Sequence, residues 1–179
     1  MTVALRRAGA GDVATIAALH TVSWRTAYVG ILDPDYLAGP IEADRQAVWA
    51  ERLAMPRNDL VVLLAETADG TGDARAVGFV CVMPDADPPW GSLVDNLHTH
   101  PAHRGGGIGE TLLRAAAATV TGGLHLWVYD ANIGARRFYS RLGGKEVETE
   151  PSDMPASLGK PLHRVHWPDA SALVMPPPA

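Results

Sequence analysis

The period of the apolar positions changes several times along the chain, and each change marks a new element. Val3–Arg7 reads as a short strand. From Asp12, an N-cap residue type, Val13, Ile16, Ala17, Leu19 and Val22 recur at helical spacing. After a loop carrying Tyr28-Val29-Gly30 and Asp33-Pro34, a second helical pattern covers about Ile41 to Leu53. Leu60–Glu66 and Arg75–Met83 are apolar, β-branched runs on either side of the turn sequence Asp69–Asp73, which predicts a hairpin. Pro84–Pro89 is expected to break the chain, Ser92–Thr99 is a further strand, and Pro101 ends it. The glycine run Gly105–Gly109 then opens a helix reaching about Val120. Leu124–Tyr129 is a strand, Asn132–Leu142 a helix stopped by Gly143-Gly144, and Lys145–Glu150 and Leu162–Trp167 are two late strands. The order β-α-α-β-β-β-α-β-α-β-β predicts an α/β or α+β fold with a mixed sheet. The hairpin is antiparallel, and the strand–helix–strand units favour parallel pairing. No internal repeat or second domain is visible, so 1–168 is expected to be one domain and 169–179, with its Pro-rich end, a flexible tail.

Composition narrows the function classes. The 179 residues are 47% hydrophobic and 20% charged, ample for one core. With no apolar run near the ~20 residues of a membrane span and no signal-peptide pattern at the start, a cytoplasmic protein without a membrane partner is the expectation. Net charge is −5, which argues against broad binding to nucleic acid. Any phosphate must therefore be held by a local device. Cys81 is the single cysteine, so no internal disulfide forms; the apolar run around it points to a buried thiol.

Such a device is present at His98–Gly109. A strand, a glycine-rich turn and a helix start follow one another there. The first amides of a helix have no intrahelical acceptor, and the helix dipole adds partial positive charge at that end. The dinucleotide fingerprint fails, because Glu110 stands where its third glycine belongs, and no Gly-Lys-Ser/Thr of a P-loop follows. What remains is R-x-x-G-x-G, formed by Arg104, Gly107 and Gly109. On its own that is equally an ordinary glycine-rich turn. His98, His100 and His103 spell H-x-H-x-x-H, but Pro101 redirects the chain and no acidic or cysteine ligand is close in sequence, so no metal is expected.

A second segment, Asn132, Ala135, Phe138, Tyr139, Leu142 and Gly143, resembles the second cofactor motif of the GCN5-related N-acetyltransferase (GNAT) superfamily, N-x-x-A-x-x-F-Y-x-x-x-G. The glycine run likewise resembles that family's pyrophosphate loop. The resemblance covers roughly Val3 to Trp167 and is specific at these two motifs. It implies a mixed, mostly antiparallel central sheet flanked by helices, and acetyl transfer from acetyl-CoA to a small-molecule or peptide amine without a metal. A non-catalytic acyl-CoA sensor is the alternative. By the same resemblance, Leu97, His98 and Thr99 would offer backbone to the pantetheine arm. Arg104, Gly105, Gly106, Gly107, Ile108 and Gly109 would wrap the pyrophosphate. Asn132 would bond the arm or its local backbone, and Ala135 and Phe138 would pack beside it. Tyr139 matches the general acid; a buried tyrosine satisfied by a carbonyl is its other reading. Leu93 and Trp127 occupy positions where some relatives carry a glutamate base, which leaves Asp95, His98 and Asp130 as local candidates, Asp95 being the working assignment. Trp24, Tyr28 and Tyr36 would line the acceptor side, and exposed edge strands are compatible with a homodimer.

Overall fold

The computed structural model describes residues 3–68 and 74–174. Seven strands form one sheet in the order β1-β2-β3-β4-β5-β7-β6. They are β1 (Val3–Arg7), β2 (Val61–Ala68), β3 (Ala74–Asp87), β4 (Gly91–Thr99), β5 (Leu124–Tyr129), β6 (Lys145–Pro151) and β7 (Pro161–Trp167). All neighbours pair antiparallel except β4 and β5. The helices are α1 (Val13–Ala27), α2 (Pro34–Ala38), α3 (Ile41–Arg52), α4 (Ile108–Ala117), α5 (Ile133–Arg141) and α6 (Ser171–Val174).

The sheet has an apolar layer on each side. Leu112, Leu113 and Ala116 of α4, Tyr139 of α5 and Leu173 of α6 cover Val80, Val82, Val94, Leu126 and Val165. On the opposite face, Ile16 and Leu19 of α1 and Trp49 of α3 cover Val62, Leu64, Phe79 and Cys81. The alternation along β3 explains both, since successive residues point to opposite faces. Ile31, Leu32, Leu37 and Ile41 make a smaller cluster with Tyr129. No helix among the described residues is long and apolar enough to cross a membrane.

Four expectations change. Pro84 does not end β3; the strand runs on to Asp87, its ladder with β4 interrupted between Met83 and Asp87. The loop after Tyr28 contains α2, started by the Asp33 carboxylate accepting from the amides of Asp35 and Tyr36. Only one strand–helix–strand unit gives parallel neighbours, because β7 inserts between β5 and β6. The predicted tail from 169 is folded as far as 174. Ala170 and Leu173 are buried beside α4, and Arg114 donates to the Leu173 carbonyl. Two apolar side chains within one helical turn are enough to dock it. The hairpin turn Asp69–Asp73 and residues 175–179 lie outside the described residues.

Candidate active site

The sheet is pinched at one end of the β4–β5 pair and open at the other. Ser92 pairs with Leu124 and Leu93 with His125, and there the ladder stops. At the pinched end Gly91 and Gly123 touch; a Cβ on Gly91 would lie 2.2 Å from the Gly123 carbonyl oxygen. Beyond Leu93, β4 carries a bulge: Cys81 faces Asn96 and Val82 faces Val94, leaving Asp95 as the extra residue. A bulge bends its strand and ends local pairing. The result is a cleft of about 740 Å³ between the two strands, with Leu97, His98 and Thr99 on one wall and Trp127 and Val128 on the other.

One end of the cleft is closed by the start of α4. Gly105 and Gly107 both have φ of +79°, a left-handed backbone natural for glycine. Gly107 is the N-cap, and its side-chain position opens into empty space. Among the described residues, the amides from Gly105 through Glu110 find no backbone acceptor. They form a row of donors at the positive end of a helix, which suits a phosphate. Arg104 stands at the rim, its guanidinium donating to Thr26 of α1 at 2.8 Å.

The other side is α5. Asn132 caps it, its side-chain oxygen accepting from the Ala135 amide at 3.3 Å, so this asparagine serves the local backbone. Phe138 reaches across to α4, and a Cβ on Gly109 would sit 3.6 Å from its ring. The two glycine- and asparagine-led segments, distant in sequence, thus meet at one contact. Tyr139 is buried, its ring edge-on to Phe138 at 5.1 Å and to Trp167 at 6.1 Å. It lines the cleft, and its hydroxyl makes no hydrogen bond to another described residue. Burial raises its pKa, so it stays protonated as a hydrogen-bond donor.

The face toward α1 is aromatic. Tyr28 lines the cleft near Tyr139 and packs edge-on against Trp24 at 5.2 Å and Tyr129 at 5.5 Å. Trp24 donates from Nε1 to His98 Nε2 at 3.3 Å, and His98 Nδ1 lies 3.0 Å from Ser23 Oγ. With Nε2 accepting, the proton of the neutral ring belongs on Nδ1, which donates to Ser23. Burial pushes the His98 pKa down to about 3, and the Arg104 and Arg45 cations add to this, so the ring is neutral near pH 7.

A family model described as "Acetyltransferase (GNAT) family" matches residues 19–144, a span that includes both cleft-forming segments. The chain belongs to this family. Among curated proteins it is similar to the probable N-acetyltransferase Rv2775 of Mycobacterium tuberculosis, 29% identical over 143 residues and 78% of each chain. Among solved structures, PaiA N-acetyltransferase of Thermoplasma acidophilum in complex with coenzyme A has a TM-score of 0.70 at 21% identity. That match covers 93% of this chain and 98% of the other. NAA60 of Arabidopsis thaliana in complex with acetyl-CoA has a TM-score of 0.66 at 16% identity, covering 93% and 98%.

Within this GNAT fold, most residues expected from the sequence come together; of the three base candidates His98 lines the cleft, with both ring nitrogens already hydrogen-bonded, and the two carboxylates do not. Leu97 through Thr99, Arg104, Gly105, Gly107 through Gly109, Asn132, Ala135, Phe138, Tyr139 and Tyr28 all line the cleft. Gly106 stands between two of them, and Trp24 lies directly behind His98. Asp95 does not line it. Its carboxylate accepts from Arg52 at 2.5 Å and from the Asn96 side chain, because the bulge turns it toward α3. Asp130 is held by Arg136 and His163, both at 2.7 Å. The one carboxylate among the described lining residues, Glu110, is paired with Arg114 one turn along α4. His100 caps the short turn after β4 through Nδ1, while His98 faces α1. No group of three or more metal-ligating side chains is assembled among the described residues. Ser23 and Thr26 escaped sequence reasoning. Their spacing of three on α1 puts them on one helix face, but nothing in the sequence says that this face meets the cleft.

Proposed function

We propose that this GNAT protein transfers the acetyl group of acetyl-CoA to an amine by direct attack. The observation that carries the reading is Tyr139, whose hydroxyl has no hydrogen-bond partner among the described residues, lining a cleft whose far end is a row of free amides. The residues fit the donor substrate. The amides of Gly105–Glu110 would take the pyrophosphate, and the unpaired edge of β4 would take the amide-rich pantetheine arm as an added strand. The neutral amine attacks the thioester carbonyl; the C–N bond forms, the C–S bond breaks, and the thiolate leaves.

Tyr139 donates a hydrogen bond to the developing sulfur charge. Its raised pKa makes full proton transfer unfavourable, so its role is electrostatic. Asp95, committed to Arg52, is poorly placed to act as base, and we assign the amine's proton to water entering the cleft. Acetyl-CoA and a broad amine panel, with thiol release as readout, test the reading. Tyr139→Phe should lower kcat about tenfold to a hundredfold with acetyl-CoA affinity unchanged, the range of one hydrogen bond to a charged group. Binding of acetyl-CoA without thiol release on any amine would leave an acyl-CoA-binding module instead. Equal loss of binding and turnover in the Tyr139 variant would refute its role.

A further inference from the structure

Among the cations around this cleft, one carries a buried nitrogen with no hydrogen-bond partner among the described residues. Arg52 is paired with Asp95, Arg164 with Asp87 and Glu148, and Arg25 faces Glu42. Arg104 is tied to Thr26, and Lys160 donates to the carbonyls of Gly30 and Ile31. Arg45 differs. Among the described residues no carboxylate lies within ion-pair distance of it, and its Nε is buried without a hydrogen-bond partner. A buried donor left unsatisfied is costly, and the Arg45 side chain is only half-buried, so the solvent-facing part of its guanidinium is open to an acceptor from outside the chain.

Its position is well defined. The guanidinium carbon lies 4.7 Å from the centre of the Trp24 ring. That same ring donates to His98 and abuts Tyr28, the cleft-lining residue near Tyr139. The Tyr36 phenol faces both Arg45 and Asp44, and burial and the Asp44 carboxylate raise its pKa, so it adds a neutral hydroxyl on the same side. An arginine held over an indole ring has lost part of its side-chain freedom, which favours recognition of an anion by its planar fork.

We propose that Arg45 receives a carboxylate of the acceptor, so that the substrate class is amino-carboxylates and not polyamines. This rests on the acetyltransferase reading and narrows it. Trp24 and Tyr28 then cover the apolar linker between the two ends of the acceptor, with the amine directed at the thioester beside Tyr139. A second cation at the Arg45 end of the acceptor, as in a polyamine, meets like charge.

The test uses the full-length protein with β-alanine, γ-aminobutyrate, ε-aminocaproate and lysine, each against its own carboxamide, and with putrescine. Thiol release gives kcat/KM, and calorimetry with acetyl-CoA is run alongside. For at least one acid, kcat/KM should exceed that of its amide by about tenfold to a hundredfold, the range of a charge-assisted hydrogen bond. Arg45→Met should erase that ratio while leaving acetyl-CoA affinity intact, and Arg45→Lys should keep part of it. If Arg45→Met does not fold, the wild-type ratio and the Arg45→Lys variant decide. Equal rates on acid and amide, a ratio that survives Arg45→Met, faster turnover of putrescine, or acetyl-CoA binding with no acid acetylated would each overturn the proposal. Failure to bind acetyl-CoA would instead contradict the acetyltransferase reading itself.

Discussion

Valine at Gly107 separates the fold from the phosphate site. The native φ of +79° is one that L-residues resist by about 1–2 kcal/mol, and a β-branched residue sits at the upper end or beyond. No protein atom lies within 4 Å of the added Cβ, so backbone strain is the whole folding cost. For a chain of this size that is a fall in Tm of roughly 2–8 °C. Binding should suffer far more, because the new side chain projects into the space where an anion would meet the amides. Losing two charge-assisted hydrogen bonds costs about 3 kcal/mol or more, over a hundredfold in Kd. Gly30 supplies the control. Its φ is +74° and its Cβ position is equally empty, but it lies on the loop after α1, outside the cleft. Melting curves and calorimetry with CoA should show both valine variants destabilised alike and only Gly107→Val unable to bind. Normal CoA affinity in Gly107→Val, or equal loss in Gly30→Val, would refute the reasoning.

Three further outcomes follow from the same geometry. Stability should decline as pH falls below about 6.5, because His98 charges readily only when unfolded; its folded pKa is about 3, so at pH 5 the folded state loses about 2 kcal/mol. Buried His20, whose pKa is also depressed by burial, adds to the same slope; a denaturant midpoint equal at pH 5 and pH 7.5 would contradict this. With no free base in the cleft, log kcat/KM should climb with unit slope from pH 6 toward the pKa of the acceptor amine, in wild type and in Asp95→Asn alike. A plateau near neutrality, or loss of the climb in the variant, would reveal a titrating base. Leu173→Ala should cost about 2–5 kcal/mol in chemical denaturation, since this side chain is buried against α4; a neutral effect would mean that α6 is not docked.

How legible this protein was in its sequence depends on how local each signal is. The strand–glycine–helix start at Arg104–Gly109 and the cap at Asn132 are local chemistry, and both lie where the spacing put them. The run of β3 through Pro84 was missed because that proline falls in the gap of the ladder, where no amide is needed. Docking of α6 depends on two side chains among prolines, too weak a period to read. The direction of Asp95 was open because a bulge inverts strand alternation and leaves no mark in the residue pattern. Ser23 and Thr26 line the cleft, and Arg45 stands over Trp24 behind it, only through the packing of α1 and α3 over β4, a relation between segments that no single window contains.

The central claim is that free amides at the mouth of α4 hold a diphosphate. Amide hydrogen exchange, read residue by residue over Gly105–Glu110 with and without saturating CoA, addresses it directly. The account predicts strong slowing at these amides on adding CoA, and little change at the amides of the Gly30 loop. Exchange at Gly105–Glu110 that stays as fast with CoA bound as without it would contradict the account.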